Sequence, residues 1–79
     1  MKLKRYVKKI CQESTKEMGL ELSDALIKNA ASLVFIRSGM DEDREADSLS
    51  PIERIELIRV CRSTVSMYAL VQDNNKKNK

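Results

Sequence analysis

Apolar side chains recur with the period of an α-helix in three separate segments of the chain. In the first, residues 3–18, they fall on one arc when each residue is advanced by about 100° around a helical axis. That arc holds Leu3, Tyr6, Val7, Ile10, Cys11, Ser14 and Met18. Gly19 follows, and glycine adopts the left-handed conformation that ends many helices without steric cost. The pattern predicts an amphipathic helix over residues 3–18.

The second segment, residues 23–38, begins at Ser23, a residue type favoured at helix N-caps, with Asp24 in the positive first turn. Lys28, Asn29 and Ser32 make one narrow polar stripe along it. The rest of the circumference is apolar up to the stop at Gly39, so this helix must be covered on more than one side.

The third segment, residues 50–72, opens with Ser-Pro-Ile-Glu, in which a serine N-cap, a proline at the first helical position and a glutamate two residues later form a capping box. One apolar face carries Leu57, Ile58, Cys61, Val65, Tyr68 and Ala69. A second stripe carries Val60, Met67 and Val71, and the remaining arc holds Arg59, Arg62, Ser63 and Ser66. Residues 73–79, DNNKKNK, have nothing to bury and are predicted to be a disordered basic tail.

Residues 41–49 separate the second and third helices and hold five acidic residues against one arginine, a local charge of −4. Such composition predicts a solvated acidic loop. The alternating Asp41, Asp43, Glu45 and Asp47 suggest a calcium loop, but Ala46 stands where the turn glycine belongs and Ile52 where the bidentate glutamate belongs. We therefore predict no metal site, and keep as an alternative an electrostatic contact with the basic face of a neighbouring subunit.

The composition agrees with a single small domain, residues 1–72, folded as an all-α three-helix bundle. Two glycines, one proline and three aromatic residues in 79 positions favour helices over strands. The chain contains no histidine, so a Ser-His or Cys-His nucleophile is excluded, and its two distant cysteines cannot supply the four ligands of a usual zinc site. We expect neither an enzyme nor a cofactor.

Cys11 and Cys61 lie fifty positions apart, and both fall on apolar faces. The N-terminal segment lacks the apolar run of a secretory signal, and no uncharged stretch approaches the roughly 20 residues of a membrane span. We therefore predict reduced thiols in the core of a cytoplasmic protein.

Positive charge is concentrated in the first helix. The whole chain carries +3, from 15 Lys and Arg against 12 Asp and Glu, whereas residues 1–18 alone carry +4. The basic face consists of Lys4, Arg5, Lys8, Lys9 and Lys16. Such a face is a solvated outer surface, a contact for nucleic-acid phosphates, or a contact for an acidic protein. A membrane surface is disfavoured, since the opposite face lacks Trp and Phe.

The second and third helices carry more apolar surface than a three-helix monomer needs, since each helix then buries only about a third of its circumference. We therefore expect a helical homodimer, the commonest oligomer. The interface candidates are Val60, Met67 and Val71, followed by Ile27, Ala31 and Val34. The expected function is that of a small regulatory or adaptor protein acting by protein–protein binding, with nucleic-acid binding through the basic face as the alternative.

Overall fold

The computed structural model describes the backbone of residues 1–77 and the side chains of residues 1–71. Within this range the chain forms α1 (Leu3–Glu17), α2 (Asp24–Ser38) and α3 (Pro51–Lys77), with a short 3₁₀ turn at Ala46–Ser48 before α3. Each α-helix packs against the other two. The predicted all-α three-helix bundle is confirmed, and α1 and α2 begin and end within one residue of the predicted bounds.

The ends of α2 follow the local signals in the sequence. Ser23 Oγ accepts a hydrogen bond from the backbone N–H of Leu26 at 3.3 Å, which satisfies one of the free donors of the first turn. At the other end Gly39 has φ +70°, and its N–H donates to the Phe35 carbonyl at 2.9 Å. A side chain at this left-handed position would be strained, so glycine fixes where α2 stops.

The start of α3 is the predicted capping box. The Glu53 N–H donates to Ser50 Oγ at 3.1 Å, and the Ser50 N–H donates to Glu53 Oε1 at 3.0 Å. The end of α3 differs from the prediction, because the helix continues past residue 72 to Lys77. Helix propagation adds one backbone hydrogen bond per residue and requires no buried side chain. Of the predicted disordered tail, residues 73–77 are therefore helical, and residues 78 and 79 lie outside the described residues.

The start of α1 has no capping side chain of its own, since Lys2 makes no side-chain hydrogen bond to the first turn. The acidic loop, residues 41–49, supplies the missing acceptors. The Leu3 N–H donates to the Arg44 carbonyl at 2.7 Å, and the Lys4 N–H donates to the Glu42 carbonyl at 3.0 Å. The Ala46 N–H in turn donates to the Met1 carbonyl at 2.9 Å. The loop therefore acts as the N-terminal cap of α1.

The core lies between the three helices and extends into the acidic loop. Its members are Leu3, Val7, Ile10, Cys11, Ile27, Ala31, Val34, Ala46, Leu49, Leu57, Cys61 and Val65. Ala46 and Leu49 are buried, which corrects the prediction of a wholly solvated loop. The average charge of residues 41–49 concealed two apolar positions spaced three residues apart, which the 3₁₀ turn directs to the same side.

None of the helices in the described part of the chain combines the length and the apolar character needed to cross a membrane.

Candidate interaction surfaces

The basic face lies on the side of α1 that points away from the core. Its five residues, Lys4, Arg5, Lys8, Lys9 and Lys16, are all exposed, whereas Leu3, Val7 and Cys11 on the opposite side are fully buried. Three ion pairs form within residues 1–71, one of them from the N-terminal ammonium, and none of them uses a residue of the basic face. The helix therefore brings five cations together without neutralising them inside this part of the chain.

The predicted apolar stripe of α3 is accessible at one end only. Met67 is 49% exposed and Val71 is 57% exposed, whereas Val60 is partly buried against the core. The Arg37 guanidinium borders this stripe, since its Nη1 donates to Thr64 Oγ1 at 2.9 Å and lies 3.8 Å from Met67 Sδ. The positively charged guanidinium of Arg37, a residue of α2, therefore lies at the edge of this apolar stripe.

Ile27, Ala31 and Val34, the second group of predicted interface residues, are buried in the core of the single chain. They correspond to the α2 side that faces α1 and α3, so they contribute no exposed surface. The sequence showed that α2 is apolar around most of its circumference but not which part its own chain covers.

A further group of exposed apolar residues on α3 was missed by the sequence analysis. Ile52 is 73% exposed, Ile55 is 60% exposed and Leu70 is 65% exposed. They fall on the arc that holds Arg59, Ser63 and other polar residues, which the pattern predicts to be a polar, solvent-facing side of α3. Eighteen residues make five turns at 3.6 residues per turn, so the helical period already places Ile52 and Leu70 on one line.

Arg44 and Glu53 form the best-defined polar contact between the acidic loop and α3. Arg44 Nη1 donates to Glu53 Oε2 at 2.8 Å, and Arg44 Nη2 donates to Glu53 Oε1 at 3.0 Å, a two-bond pairing of guanidinium and carboxylate. The Arg44 guanidinium, together with the Ser50 N–H, lowers the pKa of Glu53 to about 2. Glu53 therefore has a structural role in two contacts.

The remaining acids of the loop do not assemble a metal site. Asp41, Glu42, Asp43 and Asp47 are exposed, and the described residues contain no group of three or more metal-ligating side chains placed to hold an ion. Ala46, at the position of the turn glycine of a calcium loop, is a core residue. The loop surface therefore offers negative charge without a defined ligand geometry.

The two cysteines are free and buried, as predicted. The neighbouring Cys11 thiol, and then burial, raise the pKa of the Cys61 thiol. A buried thiol that resists ionisation is a poor nucleophile, because the thiolate is the reactive form.

No protein-family model, no curated protein and no solved structure matches this chain.

Proposed function

We propose that this chain is a small, non-enzymatic regulatory or adaptor protein of the cytoplasm that acts by protein–protein binding, as a homodimer. The observation that carries the proposal is the exposed apolar surface of α3. Its large exposed side chains are Ile52, Ile55, Ile58, Met67, Leu70 and Val71, which are between 37% and 73% exposed.

Single exposed apolar residues are common on protein surfaces, whereas groups of them mark interaction sites. Removing apolar surface from water is favourable by about 25 cal/mol per Å². The residues of α3 lie in two groups, one near its start at residues 52–58 and one at residues 67–71. Burial of this apolar surface favours the binding of a partner that covers either group. Methionine, in addition, adapts readily to the shape of a partner surface.

The chemistry of the remaining side chains supports binding in preference to catalysis. The chain has no histidine to serve as a general base. Glu53 is engaged by Arg44 and Ser50, and both thiols are buried. The chain therefore has no imidazole base, and Glu53 and both thiols are used in structural contacts or in the core.

The test is the solution mass of the protein and of a surface variant. Light scattering is expected to give twice the 9.1 kDa mass of one chain for the wild type and a single-chain mass for Met67→Asp. Ile36→Asp is the matched control, because Ile36 is exposed but lies on α2. It should remain dimeric, and circular dichroism should show that both variants keep their helices.

A monomeric wild type at high protein concentration contradicts the homodimer. A dimer that Met67→Asp leaves intact contradicts an interface that includes Met67, while the homodimer itself stands.

The second candidate function is nucleic-acid binding, favoured by the five exposed cations of the basic face, which take part in none of the ion pairs formed by residues 1–71. Lysines and arginines on one helix face can neutralise phosphates and release counterions, so affinity falls steeply with salt. A contact with an acidic protein, another alternative for this face, uses the same charges but does not require a polymer of phosphates.

Two double variants distinguish this function from non-specific attraction. Lys8→Ala with Lys9→Ala removes two charges from the basic face, and Lys28→Ala with Arg54→Ala removes two exposed charges elsewhere. Binding through the basic face predicts that only the first variant lowers affinity for duplex DNA or RNA and flattens its salt dependence. Equal losses in both variants, or none in either, contradict it.

A further inference from the structure

Helix α3 is almost twice as long as the helices it packs against. It spans 27 residues, whereas α1 and α2 span 15 residues each. At 1.5 Å per residue this corresponds to about 40 Å against about 22 Å. The Ser66 hydroxyl lies 3.4 Å from Met18 Sδ, at the turn that follows α1, and α3 continues from there to Lys77. Its last turns therefore extend beyond α1.

The side of α3 that faces away from the core carries a row of exposed residues, which we name the outer stripe: Ile52, Ile55, Arg59, Ser63, Met67 and Leu70. Ser66, on the same side, is only partly exposed and lies against Met18. Leu57, Cys61 and Val65 occupy the opposite side and are fully buried. The stripe has large apolar side chains at both ends, and its middle contains one short hydroxyl side chain and one arginine.

The stripe is nearly symmetric about Cys61. Ile52 and Leu70 each lie nine residues from this position, Ile55 and Met67 each lie six, and Arg59 and Ser63 each lie two. An interface with two-fold symmetry requires a surface that is complementary to itself when reversed. The order of residues in the outer stripe meets this condition, because reversal sets isoleucine against leucine, isoleucine against methionine, and a guanidinium donor against a hydroxyl. The Ser63 hydroxyl accepts from Arg37 Nη1 of its own chain at 3.4 Å, and a hydroxyl oxygen can accept a second bond.

The two ends of the molecule also carry opposite charge. The acidic loop, with a charge of −4, immediately precedes α3, whereas residues 73–77, the last residues of α3, contain two lysines and one aspartate. Antiparallel α3 helices bring the basic end of one copy to the acidic end of the other, while parallel helices bring like charges together at both ends. The dipoles of neighbouring antiparallel helices are also favourably aligned.

We infer that the partner in the proposed dimer is a second copy whose α3 lies antiparallel on the first along the outer stripe, with Ile52 of each copy against Leu70 of the other. This inference rests on the proposed homodimer and adds its interface and direction. The partner is identified by the self-complementary order of the stripe and by the opposite charges at its ends.

Cysteine cross-linking tests the direction. The variants Ile52→Cys and Leu70→Cys are prepared separately, and each is treated with oxidised glutathione alone and after mixing. In the antiparallel dimer, the two copies of residue 70 are separated by about 27 Å along the helix axis, from 18 residues at 1.5 Å each. A disulfide needs Cα atoms within about 7 Å. Each variant alone should therefore stay uncross-linked, and the mixture should form the 52–70 disulfide.

The wild type is the control, since Cys11 and Cys61 are buried and should not cross-link. Light scattering on the same samples separates the two possible failures. A monomer overturns both the homodimer and its direction. A dimer in which each variant cross-links to itself has parallel helices, and a dimer that forms no cross-link uses another surface. Both of these results overturn the inference while leaving the proposed homodimer intact.

Discussion

The acidic loop and the basic face of α1 are the two most charged regions of the chain, and they have opposite roles in the fold. The loop accepts hydrogen bonds from the first turn of α1 through its carbonyls and buries Ala46 and Leu49 in the core. The basic face adds nothing to the core, and its side chains take part in none of the ion pairs formed by residues 1–71. Charge density therefore does not distinguish a structural segment from an available surface.

The difference lies in the backbone and in a few apolar positions. A helix start leaves N–H groups without intrahelical acceptors, and a nearby loop can satisfy them whatever its side chains are. The basic face runs from the first turn of α1 to its last, and its lysine and arginine side chains take no part in satisfying the backbone of the helix. Its side chains are consequently free to meet solvent or a partner.

The largest expected effect on stability is that of Leu49→Ala, which tests whether the acidic loop contributes to the core or is only a solvated connection. Leu49 is only 6% exposed, and truncating a buried leucine costs about 2–5 kcal/mol of unfolding free energy through lost burial and the cavity that remains. Urea denaturation measures the loss. Asp47→Ala, at an exposed position of the same loop, should change stability by no more than about 0.5 kcal/mol. Equal stabilities of the two variants would show that the loop does not belong to the core.

A smaller effect concerns the anchoring of the loop to α3 by Arg44 and Glu53. The pKa of Glu53 in the folded chain is about 2, below the ordinary value of roughly 4.3. A lowered carboxyl pKa stabilises the fold above the unfolded-state pKa, and this contribution is lost as pH falls toward 2. Glu53→Gln should therefore lose less stability than the wild type between pH 5 and pH 2, measured by urea midpoints.

Glutamine at position 53 can still accept the Ser50 N–H bond, so this variant tests the charge and keeps the cap. Glu56→Gln is the control on the same helix, since Glu56 forms none of the ion pairs of the described side chains. Its acid denaturation should follow that of the wild type. An unchanged pH profile in Glu53→Gln would mean that the loop is held without this ion pair.

The smallest expected effect is on the basic face itself. Lys8→Ala with Lys9→Ala should leave the unfolding free energy within about 0.5 kcal/mol of wild type, because exposed side chains without partners contribute little and alanine favours helix. Thermal or urea denaturation checks this. A loss above about 1 kcal/mol would mean that these lysines make stabilising contacts, and the contrast with the acidic loop would disappear.

The fold was largely readable from the sequence because its signals are local. The 3.6-residue period, Ser23, Gly39 and the Ser50–Glu53 capping box located the helices and most of their ends. The positions of the basic face were also readable, since residues on one helix face are fixed by spacing alone. The buried state of both cysteines followed from the same period.

The candidate surfaces were less readable because exposure depends on which neighbours a helix has. Ile27, Ala31 and Val34 were predicted at an interface and are buried in the chain's own core. Ile52, Ile55 and Leu70 lie on an arc taken as polar and are exposed. Both results follow from the directions in which α1 and α2 pack on α3, which no local pattern specifies.

The sequence by itself determined the number of helices, their starts and stops, and which charges share a face, because hydrogen bonding and side-chain direction within a helix repeat over a few residues. Only the tertiary structure decided that an acidic segment caps α1, that Leu49 is a core residue, and that α3 extends beyond α1. Those outcomes depend on contacts between residues about forty positions apart, such as Leu3 with Arg44. Such contacts are set by the packing of whole helices.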